Sequence, residues 1–298
     1  MTRRGWLLFS ALGVIWGIPY LLIKVAVRDL TPATLVFFRT AIGAALLLPA
    51  VVRRGNARSL LTHWRPIALF TVVELAIPWL LLSDAERRVT SSLAGLFMAS
   101  VPLVGAVLAR VTGRHEPLGA RRVVGLFVGL AGVVALLGLD LGSGDAGAIA
   151  KLAIVAVGYA IGPMIVARRL ADLPTLDVVA TALTLCAVGY APFALAALPP
   201  ALPGLATVGA VAVLGIACTA LAFLLFFGLI AEVGPVRATV ITYVNPAVAV
   251  AAGVAILGEP FTAGTAVGFV LILAGSWLAT GAARQPAARA EAEEVAAK

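Results

Sequence analysis

The sequence predicts an all-α integral membrane protein of ten transmembrane helices, arranged as two inverted-topology five-helix repeats. Three observations lead to this fold class: the composition is strongly apolar, ten stretches are long enough to cross a bilayer, and the two halves of the chain are similar. Of the 298 residues, 62% are hydrophobic and 12% are charged, and the mean hydropathy is +1.08. Soluble domains carry about 25% charged residues. The composition therefore excludes a soluble enzyme, a nucleic-acid-binding domain and a disordered chain.

A membrane helix needs about 20 mostly apolar residues. The ten stretches that meet this length lie at residues 6–25, 33–52, 66–83, 90–110, 121–139, 149–167, 178–198, 204–230, 236–257 and 262–281. The connections between them are short, so we expect no soluble domain there. The first stretch follows Arg3 and Arg4 and is too long for the apolar core of a typical signal peptide, so we expect a retained helix.

The positions of lysine and arginine predict the orientation of the chain. With ten spans, 16 of the 22 basic residues lie on the side of the termini and 5 lie on the opposite side, while Arg39 lies within a span. Basic residues concentrate in cytoplasmic loops, so both termini are predicted to be cytoplasmic. The net charge of +8 then reflects membrane orientation, and no nucleic-acid partner is expected.

An internal duplication divides the chain. The stretch that begins at Glu116-Pro117 aligns with the stretch that begins at Glu259-Pro260, with identical Gly, Ala, Val and Leu positions downstream. The first repeat, the second repeat and a cytoplasmic tail are predicted at residues 1–140, 146–281 and 282–298. Because five spans per repeat is an odd number, the second repeat enters the membrane from the other side. This arrangement is common in secondary transporters; a duplicated bundle without a transport pathway is the alternative.

Small residues in the fifth and tenth spans predict close helix packing. Gly125 and Gly129 are four residues apart, as are Gly264 and Gly268, and this spacing lets helix backbones approach each other. We expect these two spans to form a scaffold and to lie near each other. A homodimer face is the competing interpretation, so both a monomer and a homodimer stay open.

Several motifs lie along the two repeats: Ile15-Trp16-Gly17, Lys24, Pro32, Phe38-Arg39, the two Glu-Pro loops, Pro102 and Pro246. In these residues the chain resembles the EamA group of the drug/metabolite transporter (DMT) superfamily. The resemblance covers both repeats. It implies a ten-helix permease of a bacterial-type inner (plasma) membrane, with a central cavity, that exports amino acids or other metabolites. The second repeat lacks the Trp-Gly pair and has Gly158-Tyr159 nearby instead, so a symmetric site is not expected.

Polar side chains at membrane depth are candidates for transport, because their burial is costly. Glu74 lies near the middle of the third span and is either a proton-coupling or substrate-amine site or part of a structural pair. For Arg39, a structural anchor is favoured over a substrate contact. Glu116 and Glu259 are interpreted as helix-start stabilisers, with a gate role as the alternative. The other cavity candidates are Trp16, Tyr20, Lys24, Ser92, Tyr159, Thr242, Tyr243 and Asn245, and the predicted kinks or gates are Pro19, Pro78, Pro102, Pro163 and Pro246.

Among these, Trp16, Tyr20 and Lys24 are spaced to share one helix face. This face is predicted to line a cavity wall, with an interfacial belt as the alternative.

These features and the resemblance predict a secondary transporter that exports small metabolites such as amino acids or drug-like compounds. It is expected to work by alternating access, with protons as a candidate coupling ion. A passive facilitator or channel is the alternative, and a membrane enzyme acting on lipid is a remote one. The two histidines, His63 and His115, lie in loops, so neither catalysis nor a metal site is expected, and no cofactor is predicted. No Walker A motif is present. The expected partners are a small-molecule substrate, the lipid bilayer and protons.

Overall fold

The computed structural model describes residues 2–111, 120–140, 145–234, 238, 241–242 and 244–280, and all regular structure within these ranges is helical. The prediction of an all-α membrane protein is confirmed at this level. Seven helices or helix runs in the described ranges are long and apolar enough to cross a membrane: Arg3–Ala26, Pro32–Arg54, Trp64–Ala85, Ser91–Leu108, Ala146–Arg169, Thr175–Ala196 and Leu205–Val233. Shorter apolar helices lie at Val123–Ala135, Asn245–Leu257 and Ala263–Leu278.

The first span is broken by a proline. Helix α1 (Arg3–Gly17) ends and α2 (Pro19–Ala26) begins around Ile18. Pro19 has no N–H group to donate to the carbonyl one turn earlier, so one helical hydrogen bond is missing at this point. The second span, α3 (Pro32–Arg54), is uninterrupted. The Thr31 hydroxyl caps its first turn by accepting from the Thr34 amide at 3.2 Å.

Two spans contain a π-helical turn near their middle. A short helix, α4 (Ala57–Thr62), precedes the third span, which consists of α5 (Trp64–Phe70), the turn π1 (Thr71–Ala76) and α6 (Ile77–Ala85). The eighth consists of α12 (Leu205–Gly215), π2 (Ile216–Leu221) and α13 (Ala222–Val233). A π-turn carries an extra residue, locally widens the helix and is frequent at functional sites.

The other helices follow in chain order. They are α7 (Ser91–Met98), α8 (Val101–Val111), α9 (Ala120–Asp140), α10 (Ala146–Arg169), α11 (Thr175–Ala196), α14 (Asn245–Leu257) and α15 (Ala263–Thr280). Pro102 follows the break between α7 and α8, whereas Pro163 lies inside the unbroken α10. Pro78 and Pro246 lie in the first turns of α6 and α14.

Helices of the first half pack mainly against helices of the second half. The main pairs are α3 with α11, α7 with α14, α9 with α15, α6 with α10 and α1 with α13. The contact between α9 and α15 is the closest: a Cβ atom on Gly275 would lie 2.7 Å from the carbonyl oxygen of Gly125, and one on Gly132 would lie 2.6 Å from the Ile272 amide nitrogen. The helices at the positions of the predicted fifth and tenth spans therefore pack directly together.

Buried apolar side chains form two large clusters. The first joins α2, α3, α6, α7, α10 and α12, and the second joins α3, α6, α10, α11 and both π-turns. Tyr159 of α10 packs against both clusters. The region between the two clusters is where polar side chains from several spans meet.

Candidate functional site

A buried arginine lies at the contact between the second and eighth spans. Arg39 is only 7% exposed, and its guanidinium group stacks on the ring of Trp79, 3.7 Å from the ring centroid. Its Nε atom donates to the hydroxyl oxygen of Thr219 in π2 at 3.1 Å. That hydroxyl donates in turn to the Leu214 carbonyl oxygen at 2.8 Å. The Thr219 hydroxyl that holds Arg39 is thus itself fixed by a hydrogen bond to the backbone.

Among the residues that the structure describes, no carboxylate, hydroxyl or carbonyl accepts a hydrogen bond from the two terminal nitrogens of this guanidinium. Tyr20 and Tyr159 lie within electrostatic range of the group. An arginine without a carboxylate partner is costly at membrane depth. We refer to Arg39, Trp79, Thr219, Tyr20 and Tyr159 as the central site.

Glu74 lies in π1, next to the central site. It is ten residues from the start of the run that begins at Trp64, or about 15 Å along the helix axis at 1.5 Å per residue, near the middle of this 22-residue span. Its Oε2 atom is buried without a hydrogen-bond partner. The carboxyl group rests on Gly162 of α10, where a Cβ atom would lie 2.7 Å from Cδ. In the described part of the chain no cation pairs with it, and it lies within electrostatic range of Tyr159.

A second polar group lies at the end of the bundle where α2, α6 and α14 end. Lys24 donates from Nζ to the carbonyl oxygens of Glu86 at 2.5 Å and of Val89 at 2.7 Å. The carboxyl group of Glu86 is fully buried, and neither of its oxygens has a hydrogen-bond partner. Lys24 therefore hydrogen-bonds to the backbone that connects α6 to α7, and not to the carboxyl group of Glu86.

The same end contains a well-bonded carboxylate. Glu259, from the loop between α14 and α15, accepts from the amides of Ser91 at 2.7 Å and Ser92 at 2.9 Å, and from the Ser92 hydroxyl at 2.6 Å. It thus caps the first turn of α7. Burial raises the pKa of Glu259, but the hydrogen bonds from Ser92 and Ser91 outweigh it and hold the pKa below its ordinary value. We call Lys24, Glu86, Ser91, Ser92 and Glu259 the Glu86 cluster.

The three residues predicted to share one face of the first span have different neighbours. Trp16 packs against Phe223 and Phe226 of α13, with ring centroids 6.1 and 4.9 Å apart. Tyr20 lies against Gly95 of α7, where a Cβ atom would be 3.1 Å from its ring. The break at Pro19 separates Trp16 from the other two.

The remaining predicted residues are spread along the ninth span. Asn245 begins α14, and its Oδ1 atom is buried without a hydrogen-bond partner. Thr242 is exposed and precedes that helix. Tyr243 and Glu116 lie outside the described residues.

Four residues of these sites were missed by sequence reasoning, namely Trp79, Glu86, Thr219 and Ser91. Trp79 looked like an ordinary apolar residue of the third span, and Glu86 looked like a loop charge. Thr219 is 145 residues after Glu74 and so occupies the matching place in the second repeat. The correspondence between the two repeats was the signal that could have identified Thr219. In the structure, both residues lie in π-turns.

Residues 3–138 and 147–281 each match the profile of the EamA-like transporter family. The chain belongs to this family. The resemblance in the sequence is thereby confirmed. EamA-like relatives include the "Uncharacterized inner membrane transporter YedA" of Escherichia coli K12, 32% identical over 261 residues, covering 84% of this chain and 81% of that protein. An "Uncharacterized transporter" of Archaeoglobus fulgidus is 24% identical over 291 residues, covering 94% and 98%.

A solved crystal structure supports the same fold. It superimposes on this EamA-like chain with a TM-score of 0.67 and 25% sequence identity, covering 94% of this chain and 97% of the other. Together, the family and the names of the relatives indicate a membrane transporter rather than an enzyme. Among the described residues, no group of three or more His, Cys, Asp or Glu side chains is placed to hold a metal ion.

Proposed function

We propose that this EamA-like protein is a secondary transporter of the bacterial inner membrane that exports small metabolites with an anionic group, such as amino acids. In this proposal, ten helices form two inverted repeats that expose the central site to each side of the membrane in turn. The observation that carries the proposal is the buried Arg39, whose terminal nitrogens have no partner among the described residues.

The helix pairing supports two inverted repeats. If a two-fold axis exchanges the repeats, spans two and seven exchange, as do four and nine, and five and ten. Each of these pairs is observed in contact, as α3–α11, α7–α14 and α9–α15. The axis would also exchange the contact between spans one and eight with the contact between spans six and three, and both contacts occur. The π-turns, which lie in spans three and eight, fit the same relation.

The chemistry of Arg39 supports an anionic substrate group. A guanidinium presents paired N–H donors that match the two oxygens of a carboxylate, and such bidentate hydrogen bonds are strong and geometrically specific. The guanidinium group of Arg39 stacks on Trp79 through its face and donates to Thr219 through its Nε atom. The donors on its two terminal nitrogens are left for a ligand. Tyr20 and Tyr159 offer aromatic and hydroxyl contacts to the rest of a small molecule.

The location of the site supports alternating access. Arg39 belongs to the first half and Thr219 to the second, so a rocking motion of one half against the other would change the contact that fixes the arginine. Glu74 in π1 rests on α10 of the second half. It either receives the amine of a zwitterionic substrate or carries a coupled proton.

A metabolite screen with inverted membrane vesicles tests this proposal. Inverted vesicles expose the cytoplasmic face, so export is measured as uptake. We expect metabolites with a carboxylate to accumulate with the wild-type protein and with the control Arg88→Gln, whose arginine is exposed and paired with Asp145 at 3.6 Å. Arg39→Gln removes hydrogen bonds to a charged group worth about 1.5–3 kcal/mol, so the apparent affinity should fall about 10- to 100-fold.

Arg39→Lys keeps the charge but loses the paired donors, and we expect an intermediate affinity. Size-exclusion profiles and unfolding midpoints of the variants establish that they are folded. Equal uptake with the wild type and a folded Arg39→Gln variant would contradict the proposed site, and accumulation restricted to cations would contradict the proposed substrate class.

A further inference from the structure

The carboxyl group of Glu86 is used by nothing in the central site. It lies just after α6, in the connection to α7, and is 0% exposed. Both of its oxygens are buried, and no group in the described part of the chain donates a hydrogen bond to either of them. Burial of an ionised carboxylate is strongly unfavourable unless it is paired and hydrogen-bonded. An acid held in this way needs either a proton or a rearrangement of its surroundings.

The charges around Glu86 come from several elements. Lys24 of α2 and Glu259 of the loop before α15 act on it most strongly among the charged side chains, and Arg39 of α3 acts more weakly. Tyr20 and Tyr159 also lie within electrostatic range of it, and Arg28 acts on Lys24. The Glu86 cluster therefore contains two carboxyl groups and one ammonium group.

The hydrogen bonds decide which carboxyl group is ionised. Glu259 receives three hydrogen bonds from Ser91 and Ser92, which favour its charged form. Glu86 receives none. Burial raises the pKa of Glu86 well above its ordinary value; Lys24 opposes this shift, and the nearby charge of Glu259 adds to it. The cluster is neutral when Lys24 and Glu259 are charged and Glu86 carries a proton.

We propose that Glu86 is a proton-binding site that controls the opening of this end of the transporter. When the cluster is closed, Glu86 is a neutral carboxylic acid. When α2, α6 and α7 separate, water reaches the carboxyl group and one proton leaves to the solution on the side opposite the termini. Closing takes one proton back from the same solution. The proton is thus a ligand of the closed state, and acidification of that side favours closure.

This inference rests on the proposed function in one respect only, namely that the end containing the Glu86 cluster opens and closes. Protonation itself can be measured without a substrate. Infrared difference spectra of the purified full-length protein detect the carbonyl stretch of a protonated carboxylic acid near neutral pH. We expect this band in Glu74→Gln, a background that removes the signal of the other buried acid, and its loss in Glu74→Gln/Glu86→Gln.

Asp84→Asn in the same background is the matched control, because Asp84 is two residues earlier, half-buried and paired with Lys151. The control should retain the band. The proposal would be overturned if the band were equally strong in Glu74→Gln and in Glu74→Gln/Glu86→Gln. It would also be overturned if Glu74→Gln showed no band.

The link to opening is tested by distance measurements between spin labels at Arg87 and Leu202, which are exposed and belong to different halves. In the wild type, the longer distance should gain population as the pH rises. Glu86→Gln, which mimics the protonated acid, should keep the shorter distance at every pH. Glu86→Asp should restore the pH dependence. A pH dependence that is unchanged in a folded Glu86→Gln variant would overturn the proposal.

The two proposals fail in different experiments. If no metabolite accumulates in the vesicle screen, the proposed transport function fails while the infrared band and the pH-dependent distance still report on Glu86. If the band and the distance do not depend on Glu86, this inference fails while uptake through the central site is unaffected.

Discussion

Gly162→Ala is expected to destabilise the protein by forcing Glu74 and its π-turn away from α10. A Cβ atom at position 162 would lie 2.7 Å from Cδ and 2.9 Å from Cβ of Glu74. Ordinary contacts between carbon atoms are about 3.5–4.0 Å. The side chain or the backbone of π1 must therefore move by roughly 1 Å. Overpacking of this kind costs about 1–3 kcal/mol in a well-packed interior.

Gly189→Ala is the matched control, because it lies in α11 and a Cβ atom there would meet nothing within 4 Å. Both substitutions gain about 0.5–1 kcal/mol of helix stability from the loss of glycine. The difference between the two variants then isolates the steric cost of about 1–3 kcal/mol. Reversible unfolding in mixed detergent micelles measures both free energies.

A double variant identifies the source of the cost. Glu74→Ala removes the carboxyl group that Gly162→Ala would strike, so the two substitutions should couple by about 0.5–3 kcal/mol, as contacting residues do. If Gly162→Ala were as stable as Gly189→Ala, Glu74 would not rest on α10, and the position of Glu74 beside the central site would be wrong.

Three further predictions concern coupling, pH and packing. If Glu74 couples protons, Glu74→Gln should abolish uptake driven by a pH gradient in proteoliposomes and leave counterflow exchange measurable; unchanged gradient-driven uptake would exclude that role. Because folding lowers the pKa of Glu259 below 4.5, its stabilising effect is present at neutral pH and is lost as the pH falls through the lower folded-state value. As the pH is lowered, the unfolding temperature should therefore decline less steeply for Glu259→Gln than for the wild type. Identical curves for the two proteins would argue against the capping of α7 by Glu259. Gly275→Ala should lower the unfolding midpoint, because the added methyl group disrupts the α9–α15 contact. If the variant changed the oligomeric state and left the midpoint unchanged, the homodimer interpretation would be favoured.

Hydrophobic length was sufficient to predict most of the spans. The sequence predicted the sixth span at residues 149–167, and the structure has α10 at Ala146–Arg169. The helix extends farther because its ends are set by polar contacts rather than by apolar content. Asp145, for example, caps α10 by accepting from the Ala148 amide at 3.2 Å.

The π-turns could not be predicted from local sequence. One extra residue in a helical turn leaves the apolar pattern nearly unchanged, and no residue type marks it. The turn at Thr71–Ala76 is accommodated by contacts from other helices, including the Tyr190 hydroxyl, which donates to the Ala76 carbonyl oxygen at 3.0 Å. The contacts of Glu74 therefore could not be predicted without knowledge of how α10 and α11 pack.

The candidate sites were predicted unevenly for a related reason. Arg39 and Glu74 were identified because a charge inside an apolar stretch is visible in the sequence. Glu86 follows Asp84 and precedes Arg87 and Arg88, so its composition is that of an exposed loop. Its burial depends on Lys24 and on the chain before α7, which are distant in sequence.

The account depends most on the two halves moving against each other around the central site. The most direct test is a pair of distance distributions: Arg87 with Leu202 at the end of the bundle that contains the Glu86 cluster, and Arg58 with Asp172 at the other end. All four positions are exposed. On addition of a metabolite that accumulates in the vesicle screen, the account predicts that one distance shortens while the other lengthens. Two distances that stay fixed, or that lengthen together, would contradict alternating access.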